Sequence, residues 1–169
     1  MKICILSDSH DHHDLLKQAV AEAKTAGAEV ILHCGDIVAA KTLKAILPYE
    51  LPIYVIHGNN MGDNHAMTKL SQRSEGLLRY HGMDAGITLA DKRIFMVHYP
   101  HYAEAMAVTG NWDLVCCGHS HEALIETYDT IKGTKTELIN PGTVGGVEAP
   151  ATYVMGDLAE MSFTIKTLS

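Results

Sequence analysis

The sequence predicts an α/β protein of two mixed β-sheets flanked by helices, and three observations carry that reading. In the first half, short runs of Val, Ile and Leu alternate with segments of helical periodicity, the pattern of right-handed βαβ units and a parallel sheet. In the second half strand-like runs dominate. Polar residues able to bind metals stand just after several of these runs, where the sites of open α/β sheets gather.

Residues 2–7 read as a buried strand followed by a polar loop. Leu15, Leu16, Ala19, Val20 and Ala23 recur at helical spacing, with Asp11 or Asp14 placed to cap the start and Gly27 suited to the end. Residues 29–33 give a second strand, 42–47 lie in a second helix that Pro48 stops, and 52–57 give a third strand. The polar, weakly periodic stretch 62–74 predicts a loop with a short helix. Strands follow over 76–81, 85–90 and 93–99, the last two joined by a connection short enough for a hairpin. A third helix runs from Pro100, tolerated in a first turn, to a stop at Gly110. Residues 112–117 form another buried strand, and 123–128, 135–139, 152–157 and 161–168 supply more around turns at Gly133 and Gly156. No repeat, low-complexity tract or linker interrupts the chain, and its 169 residues are expected to fold as one domain.

Composition narrows the partners. Hydrophobic residues make up 47% of the chain, enough for a substantial core. Lys and Arg number 13 against 20 Asp and Glu, a net charge of -7, which disfavours tight binding to a phosphate backbone. A long nucleic acid is therefore not an expected partner. The run 3–6 is too short for a signal-peptide core and no apolar stretch approaches membrane-spanning length, so a soluble cytoplasmic protein is expected. Cys4, Cys34, Cys116 and Cys117 fall in or beside apolar runs without Cys-x-x-Cys spacing and read as buried free thiols. The neighbours Cys116 and Cys117 point to opposite faces of a strand, which argues against a shared metal.

Seven potential ligands sit at five strand ends: Asp8 and His10, Asp36, Asn59, His98, and His119 with His121. In an extended chain positions i and i+2 face one way, so Asp8 and His10 can close on one ion. His119 and His121 share that separation and can serve one ion or two neighbours, and Gly118 before them permits a sharp turn. Asp36, after Gly35, offers two oxygens that can bridge a pair of cations, and Asn59 offers a neutral oxygen. Taken singly, Asp-x-His, Gly-Asp and Gly-Asn are ordinary turn and cap sequences. Their combination in this order is what points to a metal centre. Among the other histidines, His33 and His57 read as hydrogen-bonded core residues behind the ligands, and His65 and His81 as surface residues. His12, His13 and His101 fall in loops that border the site or cap helices.

The ordered set Asp8-x-His10, Gly35-Asp36, Gly58-Asn59, His98, Gly118-His119-x-His121 resembles the calcineurin-like metallophosphoesterase superfamily over residues 3–143. The short length and Asn140-Pro141-Gly142 resemble its small bacterial and archaeal phosphodiesterase branch. The resemblance implies a four-layer αββα sandwich and a dinuclear site, with Asp8, His10, Asp36 and His121 on one ion. Asp36, acting as the bridge, would hold the other with Asn59, His98 and His119. It implies hydrolysis of small phosphodiesters by a metal-bridging hydroxide, and two such cations, two carboxylates and that hydroxide leave a net charge of about +1, suited to a diester monoanion. Mixed nitrogen and oxygen ligands suit manganese, nickel, iron or zinc without choosing among them, and manganese is the expected ion of the four.

Some positions depart from the family pattern. Many members carry His directly after Gly-Asn, where it helps protonate the leaving group, whereas this chain has Asn60. The segment 60–63 is longer than the form expected there, and Tyr99 stands where Gly is frequent. Asn59, Asn60 and His12 are the expected phosphate contacts. Two other classes stay open: a noncatalytic scaffold of this fold, resembling the retromer subunit that binds other proteins, and a nuclease. A homo-oligomer is compatible with the sequence.

Overall fold

The computed structural model describes residues 1–60 and 62–169. Its first sheet has the order β11-β10-β1-β2-β3-β4, formed by β1 (Lys2–Leu6), β2 (Val30–His33), β3 (Ile53–Val55), β4 (Leu78–Tyr80), β10 (Thr152–Asp157) and β11 (Ser162–Thr167). The four N-terminal strands run parallel, Ile3 opposite Val30 and Ile31 opposite Ile53, while β10 lies antiparallel to β1. The second sheet has the order β5-β6-β7-β9-β8, from β5 (Asp84–Leu89), β6 (Lys92–Val97), β7 (Leu114–Cys116), β8 (Ala123–Asp129) and β9 (Lys135–Pro141). Both sheets are mixed, as the sequence predicts.

Alternation along the strands builds the layers. Ile3 and Ile5 of β1 pack with Leu32, Ile94, Met96, Leu114, Cys116 and Ile139, filling the space between the sheets. Cys4 and Leu6 point the other way, into a core with Leu16, Ala19, Val20 and Ala23 of α1 (His13–Thr25) and with Leu43 of α2 (Ala40–Lys44). The outer face of the second sheet, through Val97, Val115, Cys117 and Leu138, is covered by Ala103 and Ala107 of α4 (Pro100–Ala107). The result is helices, sheet, sheet, helix: the αββα order. Cys116 and Cys117 lie in different cores on opposite faces, and all four cysteines are buried and free. Among the described residues no helix is long and apolar enough to cross a membrane.

Three local expectations are corrected. Pro48 does not stop α2, which ends at Lys44; it sits within a separate 3-10 turn, Leu47–Tyr49, whose early position tolerates a residue without N–H. Neither Asp11 nor Asp14 caps α1, because the Asp11 carboxylate instead accepts from Ala39 N–H at 3.0 Å and from Thr42 Oγ, tying the first loop to the start of α2. The short helix expected within a loop over 62–74 takes up most of that stretch as the ten-residue α3 (Asn64–Arg73), opened by Asp63, whose carboxylate accepts Ala66 N–H at 3.0 Å.

Candidate metal centre

The loops after β1, β2, β3, β6 and β7 meet at one edge of the two sheets. Asp8 N–H donates to Gly35 carbonyl at 2.9 Å and His10 N–H to Asp36 carbonyl at 3.0 Å, which locks the first two loops side by side. In the second sheet Gly118 N–H donates to His98 carbonyl at 3.0 Å. The halves are joined by His119 N–H, which donates to Asp8 Oδ2 at 3.0 Å.

The ligand side chains do not converge by strand alternation. Asp8, His10, Asp36, His119 and His121 all take left-handed φ, between 42° and 70°. The loops after β1, β2 and β7 therefore leave their strands in turns rather than in extended chain, and such conformations in non-glycine residues cluster at functional sites. The glycines contribute space more than flexibility. A Cβ on Gly118 would collide with the Ser7 hydroxyl and Asp8 carboxylate, and one on Gly58 with the Asp36 carboxylate and the His98 ring. The expected sharp turn at Gly118 is thus displaced by one residue, to His119, and Gly118 itself lets the two sheets approach.

Among the described residues two groups of candidate ligand atoms result, each with its atoms within 4.8 Å of one another: Asp8, His10 and His121, and Asp8, Asp36 and His98. His121 Nε2 lies 3.3 Å and His10 Nε2 3.7 Å from Asp8 Oδ1. Asp36 reaches both sides, with Oδ2 3.7 Å from His10 Nε2 and Oδ1 3.4 Å from His98 Nε2. Asn59 Oδ1 is 3.0 Å from His98 Nε2. The His119 ring packs edge-on 5.2 Å from the His98 ring and 4.8 Å from that of Tyr99, at the exposed rim and outside both groups. His12 is an exposed residue at the mouth beside His10.

This arrangement fits divalent cations. Asp8 Oδ1 is fully buried and has no hydrogen-bond partner among the described residues, a costly state for a carboxylate oxygen unless a cation satisfies it. His98 Nδ1–H donates to Cys34 carbonyl at 2.8 Å, so in the neutral ring Nε2 carries a lone pair facing the Asn59 oxygen. His121 Nδ1–H donates to Val147 carbonyl at 2.9 Å, which turns its Nε2 toward His10 Nε2 at 3.3 Å. Acceptors this close need a proton or a cation between them. The same backbone bonds fix ring orientation, the usual device behind metal-binding imidazoles.

The electrostatics follow from burial and pairing. Burial alone would raise the Asp8 and Asp36 carboxyls, but their polar neighbours outweigh it and hold both low: the His10 and His98 rings and His119 N–H at Asp8, the His98 ring and Asn60 at Asp36. The His10 ring is raised by the neighbouring Asp8 and Asp36 carboxylates. At His98 burial acts to lower and Asp36 and Asp8 to raise, and the raising contributions win. His33, wholly buried, is pushed down to about 4 and stays neutral, with Nε2 3.2 Å from Ser9 Oγ and Nδ1 accepting Gly35 N–H at 3.3 Å. It supports the loops from behind, as expected, and His57 bonds Tyr80 hydroxyl at 2.5 Å.

Asn60 is turned to the carboxylate. Its N–H donates to Asp36 Oδ1 at 2.8 Å and its side-chain amide to Oδ2 at 2.6 Å. Met61, in the 60–63 segment, lies outside the described residues. Sequence reasoning also gave no positioning role to Asn140 or Thr143. Asn140 Nδ2 donates to Gly118 carbonyl and to Ser120 Oγ, both at 2.9 Å, and Thr143 Oγ1 donates to Asp8 carbonyl at 2.9 Å. A buried Asn closing an apolar strand was the available signal for the first; Thr143 carried none.

Comparison with known proteins agrees with this geometry. The profile of the calcineurin-like phosphoesterase superfamily domain matches residues 1–161. The chain is 29% identical over 150 residues to phosphodiesterase MJ0936 of Methanocaldococcus jannaschii, covering 86% of each protein. It is 31% identical over 146 residues to the probable metallophosphoesterase YsnB of Bacillus subtilis, covering 85% of this chain and 75% of that protein. Among solved structures, a novel archaeal phosphodiesterase superposes with a TM-score of 0.90 at 25% identity over 99% of this chain and 100% of that one. Vacuolar protein sorting 29 of Cryptosporidium parvum shares the fold, with a TM-score of 0.65 at 12% identity over 99% of this chain and 96% of that one. Ordered ligands, a sandwich of two mixed sheets and a near full-length profile match lead to one conclusion: this chain belongs to the calcineurin-like phosphoesterase superfamily, and is a divalent-metal-using hydrolase of phosphoesters.

Proposed function

We propose that the centre hydrolyses small phosphodiesters with two divalent cations, one held by Asp8, His10, Asp36 and His121 and the other by Asp36, Asn59, His98 and His119. The observation that carries the reading is the buried Asp8 Oδ1, without a hydrogen-bond partner among the described residues, standing between two carboxylate–imidazole groups, with Asp36 near the imidazoles of both. The phosphodiesterases among its relatives support the ester class. Bound there, the cations supply Lewis-acid polarisation of the phosphoryl oxygens and a water acidic enough to attack at neutral pH.

The chain's own groups do the rest. Cys34 and Val147 carbonyls aim the His98 and His121 rings, and Asn60 holds both Asp36 oxygens in place. The Asn59 amide oxygen adds a ligand without adding negative charge that would repel the ester. Attack is direct, with no covalent enzyme intermediate. Asn60 stands where a leaving-group imidazole would be and is engaged with Asp36, so diesters with good leaving groups react best.

The test pairs metal analysis of protein purified without added ions with a substrate panel under manganese, nickel, iron and zinc. Bis(p-nitrophenyl) phosphate should turn over with manganese, stop on chelation, and exceed any alkyl monoester in rate. His98→Ala should remove one of two ions and most activity; unchanged turnover with two bound metals rejects the assignment.

A further inference from the structure

Beside the metal centre, and sharing Asn59 and His98 with it, a pocket of about 680 Å³ opens between α4 and the β5–β6 edge of the second sheet. Its volume falls in the range that seats small organic ligands. The wall is apolar and aromatic where it leaves the ligands: Phe95 and Tyr99 give way to Met83, Tyr102 and Met106. Met83 and Tyr102, both lining this pocket, are 71% and 55% exposed. The rings form a continuous series, with Tyr99 4.8 Å from the His119 ring and 6.0 Å from Tyr102. At the strand end of this wall stands Asp84.

Resting on the phosphodiester reading, we propose that this pocket seats one esterifying group of the substrate, and that the group is a nucleobase bearing an exocyclic amino group. Continuity with the centre sets the first part: a phosphoryl group at His98 and Asn59 places one of its two ester arms over Phe95 and Tyr99. Ring faces and thioethers favour a flat aromatic guest through stacking and sulfur–aromatic contact. A carboxylate accepts hydrogen bonds and cannot donate them, so Asp84 favours the amino edge of adenine, cytosine or guanine over the carbonyl edge of uracil. The same charge repels a second phosphate, which disfavours polynucleotide chains running through this wall.

Binding can be read without metal or turnover. Amide NMR shifts of the isotope-labelled, metal-free, 169-residue protein are followed on adding adenosine, cytidine, uridine or ribose. Saturable shifts confined to the pocket wall, around Met83 and Asp84, Phe95 and Tyr99, and Tyr102 and Met106, are expected, with adenosine and cytidine about tenfold tighter than uridine and no effect of ribose. Asp84→Ala should erase the preference for amino-bearing bases, and Tyr102→Ala should weaken all bases. In the metal-loaded enzyme, Tyr102→Ala should also lower about tenfold the ratio of kcat/KM for an aryl nucleoside diester over an aryl methyl diester. Equal response to ribose, no shifts, or shifts that track protein concentration alone and so report self-association, would each overturn the pocket assignment. Turnover of the aryl methyl diester without nucleoside binding leaves the phosphodiesterase reading standing; failure of every diester removes that reading.

Discussion

Asp8 divides its work between two oxygens: Oδ2 accepts His119 N–H across the sheets, while Oδ1 has no partner from the described residues. Asp8→Asn preserves the first bond and discharges the second position. Metal affinity should fall by more than about tenfold while the metal-free protein melts close to wild type, as read by metal analysis and calorimetry. Gly58→Ala tests space instead of charge: with Asp36 and His98 both against the new methyl group, metal content and activity should fall together, checked by the same metal analysis. His33 gives the pH signature. Its ring is held at about 4, so between 6.5 and about 4 the unfolded chain binds a proton that the folded one refuses, and stability is lost as pH falls. His10 and His98, raised, act in the opposite sense, contributing below 6.5 and losing that contribution as pH rises through their folded values. Urea unfolding of metal-free wild type against His33→Gln isolates the first: the wild-type advantage should shrink by up to about 3 kcal/mol from pH 6.5 to 4. At this scale the candidate ligands were legible because polar groups after apolar runs are conspicuous. Their left-handed turns were not, since φ at Asp8 or His121 is imposed by the bonds from neighbouring loops, which no local pattern encodes.

Elements were legible where burial repeats locally. The stripe of Leu16, Ala19, Val20 and Ala23 identifies α1, and Ile3 through Leu6 identify β1, because each must cover a core face. Helix α3 was obscured by its thin buried stripe, among which only Met67 is fully enclosed, and by the polar sequence around it. Its start signal was Asp63, at the cap position. Asp63→Ala should cost about 1 kcal/mol in chemical unfolding, the usual worth of an N-cap carboxylate. The Asp11 carboxylate was misassigned for a complementary reason: its partners, Ala39 and Thr42, are remote in sequence, and a local cap is the default reading only when no such partner exists.

The whole molecule depends on the layer between the sheets. Ile94, fully buried there, stands among residues of both sheets, so Ile94→Ala should destabilise by about 2–5 kcal/mol while the folded fraction keeps its metal, as measured by unfolding and metal content side by side. The mixed-sheet architecture could be inferred from the change in patterning midway along the chain; strand order could not, because the return of β10 to lie beside β1 pairs Ile5 with Val154 across most of the sequence. That return carries a consequence for translation. Thr143, Val144 and Gly145 all bond the backbone at Ser7 and Asp8, so the Asp8 cradle is finished by residues that follow every candidate ligand in the sequence. A nascent segment that stops before residue 143 lacks those bonds and should bind cations more weakly than one that includes them.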